Sequence, residues 1–160
     1  MKYEELLTEI EENHIKLYTC KMHEKVRGLC IGNSIVINKD IESPRELNCI
    51  LAEEIGHYKT TVGNITGNSV NDRRQEKRAR VYAYDRLVGL EGILKAWQAG
   101  CANTNETAEY LNITEEFLRA ALEYYAHKYG ISVKYKDKII EFLPNLKVKK
   151  NPDVANDNNS

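Results

Sequence analysis

Residues 50–61 read ILAEEIGHYKTT, and within them Glu53, Glu54 and His57 are spaced as E-E-x-x-H. The pattern is one letter from H-E-x-x-H, in which two histidines one helical turn apart bind zinc and the glutamate serves as general base. Here the first histidine is replaced by a carboxylate. Residues four apart on a helix share a face, so Glu53 and His57 can reach the same ion. Leu47, Ile50, Leu51 and Glu54 flank that face, which is expected to turn the acidic pair inward, where ionised carboxylates are costly without a cation or hydrogen bonds. A plainer reading stands beside this one. Glutamates are common in helices, and a histidine near a helix end is often only a cap or a dipole partner.

The next helical stretch offers a matching donor. From Leu90 back through Leu87, Ala83 and Ala79 runs a small and apolar stripe whose next position is Glu76. The cations around it, Arg73, Arg74, Lys77, Arg78 and Arg80, spread over the other faces and read as a solvated basic surface. Glu76 is therefore expected to continue the buried stripe and to meet His57 once the loop VGNITGNS returns the second helix along the first. One histidine and two carboxylates plus water can hold a divalent ion with an open position. Glu54, adjacent to ligand Glu53 but not needed for coordination, is then free to act as general base on a water at the ion and to pass its proton to a leaving amine. The reaction class is metal-assisted peptide hydrolysis. Zn2+ accepts glutamate oxygen, but a second carboxylate formally cancels the charge of the ion, which weakens it as a Lewis acid and relaxes the preference toward Mn2+ or Fe2+. Slow turnover is expected.

The elements that must position these groups have local signals. Tyr3, Leu6, Leu7 and Ile10 mark a short amphipathic helix. Extended stretches around Ile15 to Cys20 and Gly28 to Ile31 precede a third, Ser34 to Asn38, after a Gly32-Asn33 turn, giving a small sheet that ends in a hairpin. Ser43-Pro44-Arg45-Glu46 combines an N-cap serine, a proline at the first helical position and a glutamate placed to close a capping box. A second long helix is expected from about Asn71 to Val88. Beyond Gly100, helices from Thr104 to Leu111 and Thr114 to Tyr129 make a helix-turn-helix shape, followed by the hairpin ISVKYKDKIIEFLP.

LAEEIGHYKT followed by QEKRARVYAYDRLV resembles the ImmA/IrrE family of metallopeptidases, found in phages and mobile elements of bacteria. Ala52, Glu54, Gly56 and His57 match its alanine-preceded H-E-x-G-H helix. Glu76, Ala79, Tyr82, Ala83 and Leu87 match its second helix, and the likeness spans roughly residues 14 to 145. The resemblance implies an α+β fold: a mainly helical zincin-like peptidase core with a small N-terminal sheet over 1–90, then a helix-turn-helix-like segment and short β-hairpin over 91–146. The polar tail, 147–160, is expected to be disordered. The resemblance also implies His57 and Glu76 as metal ligands, Glu54 as catalytic base, and a cytoplasmic protease that cleaves a partner repressor, often encoded beside it, to release transcription. Glu53 departs from the histidine of many members, although a phage-associated subgroup carries A-E-E-x-G-H.

Other function classes are weakened by charge and composition. A formal net charge of −1 gives no global pull toward nucleic acid or a membrane surface. The N-terminus MKYEELLTEIEENH has no apolar signal segment, and no run of residues is long and apolar enough for a membrane span. Cys20, Cys30, Cys49 and Cys101 have no paired spacing and read as plain thiols of a reducing compartment. His14, His23 and His127 read as structural or exposed. Tyr58 and Tyr82 are candidates for steadying a tetrahedral intermediate but are indistinguishable from packing residues. A DNA-binding regulator is disfavoured because residues 103–130 hold five glutamates against Arg119 and Lys128, a net of −3, with Glu115 and Glu116 opening the would-be recognition helix. That segment reads instead as packing through Phe117, Leu118, Ala121, Leu122 and Tyr125. A catalytically silent relative that binds a partner protein remains the main alternative to the peptidase.

Overall fold

Leu6 and Ile10, four apart on one face, are the buried residues of the opening helix α1 (Lys2–Glu12). The computed structural model describes residues 2–61 and 69–154, the side chains of 69–72 excepted, so the expected VGNITGNS loop lies largely outside the described residues. Three strands follow α1: β1 (Lys16–Cys20), β2 (Gly28–Ile31) and β3 (Ser34–Asn38), in spatial order β1-β3-β2. β2 and β3 form the hairpin that Gly32-Asn33 predicts, with Gly32 at φ 59°, and β1 lies parallel to β3. Ile35 and Ile37 alternate along β3 and are buried. Asn38 is 1% exposed and closes the β1–β2 connection. Its Nδ2 donates to the carbonyls of Met22, His23 and Val26 at 3.3, 3.3 and 2.8 Å, and its Oδ1 accepts from the Asp40 N–H at 3.1 Å.

Helix α2 (Pro44–Thr61) begins where the serine cap predicts, with Ser43 Oγ accepting from the Glu46 N–H at 3.3 Å. The other half of the expected capping box is not made. Glu46 instead accepts from Arg27 Nε and a terminal guanidinium nitrogen at 2.8 and 2.5 Å, tying the first turn of α2 to the residue before β2. Helix α3 (Ser69–Leu87) is followed directly by a helix absent from the expectations, α4 (Gly89–Gln98), which buries Ile93, Leu94 and Ala96. α5 (Thr104–Tyr110) and α6 (Glu115–Tyr129) are capped by Asn103 and Thr114, whose side chains accept from Glu106 N–H and Phe117 N–H at 2.9 and 3.1 Å. The face of α6 read as packing is buried at Phe117, Leu118, Ala121, Leu122 and Tyr125.

β4 (Ser132–Tyr135) and β5 (Lys138–Glu141) make the expected second hairpin. A correction concerns the tail: Lys147–Lys150 form a third strand, β6, antiparallel to β5, and Pro152–Val154 form a 3-10 turn. The open edge of β5 organises this polar stretch, helped by Val148 against the core, an ion pair of Lys149 with Glu141 at 3.0 Å and the Asn151 N–H donated to Asp137 O at 3.0 Å. Residues 155–160 lie outside the described residues. One buried apolar cluster runs from Leu6 to Phe142, and among the described residues no helix is long and apolar enough to cross a membrane.

Candidate metal centre

Gly56 sets how closely α2 and α3 approach. A Cβ built on it would fall 2.5 Å from Ala79 O and 3.0 Å from Ala79 Cα, so a hydrogen is the side chain this contact accepts without moving backbone. Beside that contact His57 Nε2 lies 3.4 Å from Glu76 Oε1. Moving from Gly56 to His57 on α2 corresponds to moving back from Ala79 to Glu76 on α3, so the helices run antiparallel. The stripe read from the sequence lines the seam: Ala79, Ala83 and Leu87 are fully buried. Glu76 does not continue it inward, because its side chain is 55% exposed. Helical side chains lean toward the N-terminus, which carries the carboxylate one turn beyond Ala79 to the open mouth of the seam.

The donors can be tested against a divalent ion. Two atoms bound at roughly 2.0–2.1 Å to one tetrahedral zinc stand roughly 3.3 Å apart. The His57–Glu76 separation matches one edge of such a site. Glu53 is half-buried one turn before His57 on α2, yet among the described residues no three His, Cys, Asp or Glu side chains gather about a common point. Donor type and this one edge are compatible with a metal; Glu53 stands nearby without being drawn in.

The electrostatics of the seam are those of partly buried carboxylates set close together. Glu54 is 8% exposed, and its carboxyl is pushed up to about 7, first by burial and then by the negative charges of Glu53 and Glu76. Burial also raises Glu53, opposed by the positive charge of Arg80 and reinforced by Glu76. β2 makes room for Glu54 through Gly28, where an added Cβ would lie 2.9 Å from Glu54 Oε1 and 2.9 Å from Ile50 Cγ2. Cys30, two residues on and on the same face of β2, has its thiol pushed up to about 11 by burial and by the Glu54 charge. Gly28, Cys30, Arg80 and Tyr84 are neighbours of the centre that the motif does not announce. For Arg80 a signal exists, its i+4 spacing from Glu76.

The remaining candidates point elsewhere. Tyr82 donates its hydroxyl to Glu9, which also accepts from Arg86 Nε at 3.1 Å and pairs with Lys59 at 3.8 Å. Tyr58 donates to Asn13 O at 3.5 Å. Both hydroxyls are engaged at the α1 end. Tyr84 instead stands near Glu53 and Arg80, with its ring edge-on to Phe117 at 5.2 Å. His14, His23 and His127 are exposed, and all four cysteines are free.

The family model of the M78 peptidases, described as the IrrE N-terminal-like domain, matches residues 8–123, a span that includes α2, α3 and every residue of the seam. No curated protein matches the chain.

Proposed function

We propose that this chain, which belongs to the M78 peptidase family, is a metal-dependent endopeptidase that cleaves a partner regulatory protein, a repressor encoded nearby in a phage or mobile element. The observation that carries the reading is the 3.4 Å contact of His57 with Glu76 beside a buried Glu54. His57 and Glu76, with Glu53 as third donor, would hold a divalent ion, Zn2+ first and Mn2+ or Fe2+ also accommodated, which supplies polarisation of the scissile carbonyl and a more acidic water. Glu54 takes a proton from the attacking water as the new C–O bond forms. It returns that proton to the amine nitrogen as the C–N bond breaks. A carboxyl raised toward neutrality is suited to both halves of that transfer. Gly28 keeps the space in which the carboxyl moves.

A second reading, a silent relative that binds its partner without cutting it, is favoured by the incomplete gathering of donors among the described residues. Co-expression with the adjacent repressor separates the two. The peptidase yields two repressor fragments, and Glu54→Gln lowers cleavage by about 10² to 10⁴ while retaining the fold and the metal. An uncut repressor that co-purifies with the native chain supports the silent relative. Undiminished cleavage by Glu54→Gln removes that residue from the mechanism.

A further inference from the structure

The Gly56–Ala79 and His57–Glu76 contacts fix the antiparallel register of α2 on α3. Four residues back from His57 is Glu53, and four residues on from Glu76 is Arg80. Both steps run the same way along the seam by roughly 6 Å, so Glu53 and Arg80 face each other on the next rung. Arg27, Arg45, Arg86 and Arg119 each close an ion pair; among the described residues the exposed Arg73, Arg74, Arg78 and Arg80 close none, and of these four it is Arg80 that the register sets opposite Glu53.

We propose that Arg80 is the counter-charge of Glu53, a positioning residue that offsets the second carboxylate of the centre. Formal charges show what this achieves. An ion of +2 with two imidazoles and one carboxylate sums to +1. Replacing one imidazole by Glu53 brings the sum to zero, and Arg80 on the adjoining rung restores +1. The carboxylate at position 53 is thereby made compatible with a site that still withdraws electrons from a carbonyl. This charge sum rests on the metallopeptidase reading above; the facing of Arg80 and Glu53 does not.

The pairing is tested by thermal unfolding of chelator-treated full-length protein at low salt, in four forms: native, Glu53→Gln, Arg80→Gln and the double variant. Arg80→Gln is expected to lower Tm by about 1–4 °C in the native background and by less than half as much beside Glu53→Gln, with Arg80→Lys restoring the native value. Equal losses in the two backgrounds overturn the proposal. A Zn2+ titration supplies the second readout: removing a positive charge one rung away tightens binding by about 5- to 10-fold in Arg80→Gln. Unchanged affinity places Arg80 too far from the centre and also overturns it. If no form takes up Zn2+, the reading under Proposed function fails, and the thermal cycle still decides whether Arg80 answers Glu53.

Discussion

Along its first turns α3 presents Glu76 and Arg80 to a neighbour that offers Glu53, Glu54 and His57, and the His57–Glu76 pair is the one close contact among them. At its last turn the same helix meets polar groups that answer one another. Tyr125 donates to Asp85 Oδ1 at 3.0 Å and accepts from the Gly89 N–H at 3.1 Å, the Lys2 ammonium donates to Leu87 O, and Arg86 grips Glu9. The contrast is between polar groups paired across the fold and carboxylates crowded against one another. Carboxylates crowded together and partly withdrawn from water cost stability, and such a cost is retained where the groups must stay free to bind or to move a proton. One end of α3 is scaffold; the other holds back its polar groups for chemistry.

The largest expected effect comes from disturbing the crowded end without touching its ligands. In Gly28→Ala the new methyl lands on Glu54 Oε1 and Ile50 Cγ2, so both the carboxyl and the buried Ile50 must give way. A displaced base should lower cleavage by about 10²-fold, with a loss of about 1–3 kcal/mol of stability from the shift of Ile50 that leaves the chain folded. Full activity in this variant would show that Glu54 does not work from this position. Gly56→Ala comes next, because there the obstacle is the Ala79 backbone and the helices themselves must part. Equilibrium denaturation should register a loss of about 1–3 kcal/mol, with Zn2+ affinity falling as His57 and Glu76 separate. A variant of native stability would mean that the two helices are not in close register.

The smallest effect sharpens the paired end. Burial lowers the Lys2 ammonium to about 8, outweighing its neighbour Glu5, with Arg86 and Lys95 adding repulsion. The folded chain therefore releases this proton near pH 8, whereas the unfolded chain keeps it to about 10.5. Between those values the unfolded state binds more protons, so this group adds stability as pH rises through the window and withdraws it as pH falls through 8. Lys2→Met lacks that dependence. Its Tm relative to native should be highest below pH 8 and should decline steadily toward pH 10.5; a difference that does not change with pH would mean that the amine is hydrated.

What the sequence reveals is what neighbouring residues decide among themselves. Ser43-Pro44-Arg45-Glu46 starts a helix, Gly32-Asn33 turns a hairpin, Thr114 caps α6, and E-E-x-x-H places three polar groups on known sides of α2. α4 escapes because Gly89, at φ 61°, bends one helix into the next with no polar loop to mark the boundary. β6 escapes because Lys147–Lys150 carry one apolar residue and owe their strand to the edge of β5. The periodicity through Ala79 and Ala83 locates the stripe but not where it meets solvent, so Glu76 reads as buried and is exposed. Gly28 under Glu54, and Arg80 opposite Glu53, depend on strand-to-helix and helix-to-helix register. Those registers are set by shapes meeting across the fold, which no local pattern encodes.

The strand beside Glu54 is an edge strand. β2 pairs with β3 alone, and the segment leading into it is clasped by one amide, that of Asn38. Lifting residues 21–31 would break one strand pairing, that clasp, the Asn38 N–H bond to Arg27 O, the Arg27–Glu46 bridge and the packing of Gly28 on Ile50 and Glu54, and would leave the helices paired. Water and an extended chain could then reach the carboxyl without any loosening of α2. The cover over Glu54, which leaves it 8% exposed, is thus a strand and its connection rather than a helix.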